Sequence, residues 1–154
     1  MTIQSRLQNL GIVLPAAAAA AANYMPYALH GSQLIIAGQL PIEGGEKKFI
    51  GRLGENISIE DGKKAARLCA INTIAQISAA LNGDLERVER IMRLGVFVNS
   101  SNDFIEQPAV GNGASDLMVD VFGDAGRHAR AAVGVNTLPF GVSVEIDAIV
   151  AVKN

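Results

Sequence analysis

Arg130, Glu145 and Asp147 are the residues whose types and spacing could do chemistry, and they lie on two alternating segments near the C-terminus. From Ala129 to Val135, Ala129, Ala131, Val133 and Val135 fall on one face, with Arg130, Ala132 and Gly134 on the other. From Val142 to Val152, apolar Val142, Val144, Ile146, Ala148 and Val150 alternate with Ser143, Glu145 and Asp147. Period two marks strands. About six residues, Pro139 among them, join the segments, so they read as an antiparallel hairpin. Symmetric pairing about residues 136–141 then places Arg130 on the same side as Glu145 and Asp147, with small Ala132 and Gly134 leaving room above the sheet. A guanidinium beside such a space can hold a carboxylate through two parallel hydrogen bonds. A carboxylate nearby can orient or deprotonate a water. The same types also make a plain cross-strand ion pair on a solvated face, and spacing alone favours that plainer reading.

Other chemistries find little support. Cys69 is the only cysteine, which excludes an intrachain disulfide and a cysteine-based zinc site, and its mid-helix position reads as packing. His30 and His128 lie far apart, outside metal-ligand spacing, so no metal and no cofactor is expected. Nucleotide-binding glycine loops, a nucleophile elbow and a calcium loop are all missing. With a net charge of −2, a pI near 5.6 and no Lys/Arg cluster, a nucleic-acid partner is disfavoured. The apolar run from Gly11 to Ala22 is interrupted by Pro15 and falls short of the roughly 20 residues a bilayer span needs. It also lacks the positive start of a secretory signal, so the chain is expected to be cytoplasmic and free of membrane. Ala16 to Ala22 read as a spacer or a short helical turn.

The frame that must position these residues is one domain over residues 1–154, with 1–22 as an N-terminal extension. Apolar residues make up 49%, with five Phe, two Tyr and no Trp, so the core is aliphatic. A charged fraction of 18% and a mean hydropathy of +0.27 exclude disorder as the main state. Ile3, Leu7 and Leu10 sit at helical spacing until Gly11. Leu34 to Ala37 read as a buried strand, and Glu43 to Asn56 as an exposed loop. Ser58 caps a long helix that stops at Asn82-Gly83. Val88 to Val98 alternate, with Met92, Leu94, Val96 and Val98 on one face. Ser100 to Asp103 supply a turn and a cap, and a second helix is predicted around Ala114 to Phe122. The order ββαβαββ predicts an α+β fold with two helices on one face of a mixed sheet.

The run His128-Ala129-Arg130-Ala131-Ala132-Val133-Gly134-Val135, with Leu138-Pro139 and Val144-Glu145-Ile146-Asp147-Ala148-Ile149, resembles the signature of the Rid family, also called YjgF or L-PSP endoribonuclease-like. Gly38-Gln39-Leu40-Pro41 is similar to that family's SGQxP strand end, and Val96-Phe97-Val98 with Asn102-Asp103-Phe104 to its VFVxxxxDF segment. Tyr24 precedes Gln39 by fifteen residues, the spacing of the family's pocket tyrosine. The resemblance implies a chorismate-mutase-like fold, a homotrimer with pockets at subunit interfaces, and cofactor-free hydrolysis of 2-imino or enamine acids to 2-keto acids and ammonia. By the same resemblance Arg130 clamps the carboxylate of a small metabolite and Glu145 holds the attacking water. Tyr24, Ala37, Gly38, Asn112 and Ala132 line the pocket. Ala37 stands where the family usually has serine, Ala132 where cysteine is common, and the longer segments 1–22 and 105–113 suggest a divergent subgroup. A binding or chaperone-like trimer without turnover is the alternative function, and a ribonuclease-like activity the third. Apolar residues on both sheet faces point to assembly independently, because a monomer would expose a large apolar patch.

Overall fold

The computed structural model describes residues 1–154. Helix α1 spans Ile3–Asn9, capped by Thr2, whose hydroxyl oxygen accepts from the Ser5 N–H at 3.1 Å. Gly11 at φ 68° ends the segment, and Ile3 and Leu7 enter the core. The alanine run takes neither helical nor strand form. Seven alanines are too few to sustain an isolated helix, and Gln76 instead donates to the Ala18 carbonyl at 2.7 Å.

Strands β1 (Tyr27–His30) and β2 (Gln33–Gln39) form the first hairpin, followed by a short one, β3 (Ile42–Glu43) and β4 (Glu46–Lys47). Gly44 and Gly45 turn the short hairpin at φ 59° and 80°. The expected exposed loop is therefore partly ordered, and Leu53 within it is fully buried. Helix α2 (Ile59–Ala80) starts where predicted, with the Ser58 hydroxyl accepting from the Asp61 N–H at 3.1 Å and Glu60 and Asp61 in the first turn. Strand β5 (Val88–Asn99), helix α3 (Gln107–Phe122) and strands β6 (Ala129–Val135) and β7 (Val144–Val152) complete the ββαβαββ order.

The five-stranded sheet runs β1-β2-β7-β5-β6, and only β5 and β6 are parallel. The predicted β6–β7 hairpin is therefore wrong. A strand–helix–strand unit returns its second strand parallel to the first, so β5–α3–β6 seats β6 on the outer edge of β5. Strand β7 then lies on the other side of β5, between it and β2.

Two further expectations change. Against β7, Ile91 pairs with Val150 and Arg93 with Ile149, so Met92 is an extra bulge residue. Ile91 takes the buried place, and Met92 is 48% exposed rather than on the face of Leu94, Val96 and Val98. Helix α3 begins at Gln107, not near Ala114, with Pro108 in its first turn and no side-chain cap. The Ser101 hydroxyl bonds instead to Asp103, at 2.7 Å. Gly111 and Gly113 had hidden the helical pattern of that first half.

Helices α2 and α3 cover one sheet face and meet at close quarters, with Gly62 of α2 against Val110 of α3 and Gly113 of α3 against the Lys63 backbone of α2. A Cβ on Gly113 would run into the Lys63 backbone, which cannot swing aside. Gly113→Ala gains about 1 kcal/mol of helix propensity but overpacks a rigid seam. We expect a net loss of about 2 kcal/mol, read as a fall in melting temperature of roughly 4–8 °C.

Candidate functional site

Strand β2 carries a bulge where it meets β7. Ile36 pairs with Ala148 and Gln39 with Ile146, so Ala37 and Gly38 together face Asp147. This pushes the Ala37–Gly38 backbone toward Glu145. A Cβ on Gly38 would lie 2.9 Å from the Glu145 carboxyl carbon, so glycine is what lets backbone and carboxylate share the space. Glu145 lines a cavity of about 420 Å³ with Tyr24, Ala37, Gly38, Phe140 and the alanine run. Tyr24 is 54% exposed at this cavity. Burial, and then the like charge of Asp147, push the Glu145 carboxyl above the ordinary glutamate range. Asp147 pairs instead with Arg93, Nη1 to Oδ1 at 3.3 Å.

Arg130 is elsewhere. It pairs in register with Leu94, which pairs with Ala148, so all three share the helix-covered face. Glu145 pairs with Phe97, which pairs with Val133, on the open face. Arg130 and Glu145 of one chain therefore point to opposite sides of the sheet. The expected shared face fails because it rested on the β6–β7 hairpin.

Helix α3 holds Arg130 firmly. Its Nη1 donates to Asn112 Oδ1 at 2.9 Å and to Ser115 Oγ at 3.1 Å, and Nη2 donates to the Pro108 carbonyl at 3.3 Å. His128 Nδ1 lies 2.6 Å from the Gly126 carbonyl, which only accepts, so Nδ1 carries the proton. In the tautomer with its single proton on Nδ1, the ring accepts from the Ser115 hydroxyl through Nε2, at 2.9 Å. That turns a Ser115 lone pair toward Nη1. With both Nη1 protons and one Nη2 proton engaged, the Nε–H and the second Nη2 proton are the donors left for a carboxylate.

The structure thus gathers the candidate residues into two groups. Tyr24, Ala37, Gly38 and Glu145 make up one; Arg130, Asn112 and Ala132 make up the other, where the Ala132 methyl sits 3.6 Å from a Cβ position built on Gly111. Sequence reasoning missed Ser115, His128, Phe140 and the alanine run as site residues. The signal for the first two was Asn112 and Ser115 at i,i+3 on one helix, with His128 and Arg130 two apart ahead of them. No three His, Cys, Asp or Glu side chains gather into a metal-binding cluster, and no helix is long and apolar enough to cross a membrane. Cys69 is buried, its thiol pushed well up by burial and then by the charge of Glu145.

Two measurements check this geometry. Because the folded chain raises the Glu145 carboxyl above its unfolded value, ionising it costs more in the folded state. That stability is full below the unfolded glutamate pKa of about 4.3 and is lost as pH rises through the raised value. Glu145→Gln therefore melts higher than the parent at pH 7, and the gap closes by about pH 4. Nitrogen-15 NMR of the His128 ring at pH 8 shows a protonated Nδ1 and an unprotonated Nε2; the reverse tautomer would break the Ser115–Arg130 linkage.

The chain is similar to known proteins along nearly its whole length. A family model described as "YjgF/chorismate mutase-like, putative endoribonuclease" matches residues 4–147. Protein TCP17 of Trypanosoma cruzi is 52% identical over 153 residues, 99% of this chain and 95% of that protein. The crystal structure of Atu1372 from Agrobacterium tumefaciens, a protein of unknown function, shares 48% identity at a TM-score of 0.93, covering 98% of this chain and 92% of the other. The YjgF gene product of E. coli superposes at a TM-score of 0.64 with 27% identity, over 90% of this chain and 94% of that one. In fold, in motif and in the extent of the match, this chain belongs to the YjgF/chorismate mutase-like family.

Proposed function

We propose that this protein is a cofactor-free hydrolase of 2-imino acids, acting as a cytoplasmic homotrimer. The observation that carries this reading is Arg130, whose Nη1 is tied to Asn112 and Ser115 so that its remaining edge suits a carboxylate. Glu145, a desolvated acid beside a glycine, supplies the second half. The two halves lie on opposite faces of one sheet, so a complete pocket needs Arg130 of one subunit against Tyr24, Gly38 and Glu145 of another.

In that pocket Arg130 neutralises the substrate carboxylate and fixes the imine carbon near Glu145. Glu145 takes a proton from water as the oxygen adds to C2, then returns it to nitrogen. The carbinolamine expels ammonia and leaves the 2-keto acid. A raised carboxyl is suited to this exchange, because its pKa moves toward the operating pH. The imine is intrinsically reactive, so positioning and charge suffice.

A second reading is a metabolite-binding or chaperone-like trimer without turnover. Ala37 and Ala132 favour it, since both put a methyl where the wider family carries a hydroxyl or thiol. A ribonuclease-like activity ranks below both, because a net charge of −2 offers little to a phosphate backbone.

The test mixes purified protein with imino acids freshly released by an amino-acid oxidase. Keto-acid formation should exceed the buffer rate, and Arg130→Ala should lower kcat/KM by about a hundredfold or more. Turnover equal to buffer rejects the hydrolase; an active Arg130→Ala rejects the site. Light scattering should give roughly 48 kDa, three times the 16.1 kDa chain. A 16 kDa species at micromolar concentration sinks the shared pocket.

A further inference from the structure

We propose that the ligand of this site carries a bulky apolar side chain, branched or aromatic, selected by Phe140 and by the alanine run. The proposal rests on the 2-imino or 2-keto acid reading and names which members of that class the pocket takes.

Size is the first argument. At about 420 Å³ the cavity beside Glu145 falls in the range of pockets that enclose drug-sized ligands. A three-carbon acid would cover only a small part of the wall that this chain contributes. The walls are the second argument. Ala18 to Ala21, Pro26, Leu40, Ile42, Pro139 and Phe140 present carbon to the space. The two side-chain amides among the lining groups each give one N–H to the protein's own backbone, Gln76 Nε2 to the Ala18 carbonyl at 2.7 Å and Gln39 Nε2 to the Ala37 carbonyl at 3.0 Å. The first of these bonds comes from a buried side chain and anchors the alanine run at the cavity wall. Methyl groups there keep the wall apolar and leave the width that larger side chains would fill.

Phe140 is the third argument. It sits between β6 and β7 at φ 59°, a left-handed conformation uncommon and strained for a bulky non-glycine residue, yet it is 68% exposed. A glycine would take that backbone without strain, and core packing does not call for the ring. Such outliers concentrate at functional sites. The Lys47 ammonium, 4.2 Å from the ring centroid, steadies the aromatic face at the cavity. An exposed ring at the wall of an apolar cavity gains most from a ligand that covers it.

Lys47 is also the one cation lining the cavity, so an acidic side chain is the competing ligand chemistry. Calorimetric titration of the full-length protein with four 2-keto acids separates the cases: pyruvate, 4-methyl-2-oxopentanoate, phenylpyruvate and 2-oxoglutarate. We expect the branched and aromatic acids to bind at least about tenfold more tightly than pyruvate, the discrimination that added methylenes give in an apolar pocket. Phe140→Gly, which suits the backbone at that position, and Ala20→Leu, which fills the wall, should each bring the ratio close to one. Equal affinity for pyruvate and the larger acids overturns this proposal while Arg130-dependent binding keeps the carboxylate reading. Tightest binding of 2-oxoglutarate overturns it in favour of an acidic side chain. Binding of none, or binding that Arg130→Ala leaves unchanged, removes the acid-binding reading itself.

Discussion

The parallel pairing of β6 with β5 is the constraint on which the rest of the molecule depends. Because α3 crosses over between them, β6 must lie alongside β5 in the same direction, and its even-numbered residues face the helices. Arg130 is thereby aimed at α3, where Asn112, Ser115 and the Pro108 carbonyl can hold it. The same topology sends β7 to the far side of β5 and turns Glu145 to the open face. One register decision separates the cation from the carboxylate, and any chemistry that uses both requires surfaces from two chains.

Space for these side chains is made by residues that lack them. Gly38 clears room for the Glu145 carboxyl, Gly111 lies under the Arg130 guanidinium, and Gly95 lets the Arg93–Asp147 pair cross the sheet. Each sits inside a strand or helix, where glycine weakens the element. The local cost is accepted where a charged group must lie flat against backbone. Gly113 and Gly126 do the same for packing, since a Cβ on either would strike backbone of α2 or α3. Helix α3 therefore carries one glycine that makes room for Arg130 and another that makes room for α2 within one turn of each other, and its propensity signal is correspondingly poor.

That is also why parts of the fold were legible in the sequence and parts were not. The Ser58 cap, the extent of α2, the alternation of β7 and the ββαβαββ order are local patterns, and the structure has them. Strand partnership is not local. The hairpin reading of β6 and β7 used a short connection and two good alternations, and nothing in either segment reveals that β5 lies between them. The Met92 bulge and the early start of α3 likewise depend on contacts with β7, Lys63 and Arg130. For the site, residue types and the family resemblance singled out Arg130, Glu145, Gly38 and Asn112, and the structure places Gly38 with Glu145 and Asn112 with Arg130. Ser115 and His128 stayed hidden because their role is to fix a third residue, and the spacings that relate them to Asn112 and Arg130 gain meaning only once α3 is seen to pack on β6.

In the proposed trimer, the edge of the sheet links the candidate site to assembly. Strand β6 has no partner beyond β5, and its residues Ala129, Ala131, Val133 and Gly134 are exposed. Exposed edges are normally blunted by lysine, proline or a covering loop, yet β6 carries a single charged side chain, and α3 draws that one inward. The open face beside it is equally unguarded, with Ile35 and Val133 each 46% exposed around one ion pair. Soluble monomers rarely leave a large apolar surface uncovered. In the proposed trimer, the covering surface is the one that brings Glu145 and the β2 bulge toward the neighbour's Arg130. Burial of the apolar face and completion of the pocket are then one event, and a chain unable to assemble would lose its site along with its cover.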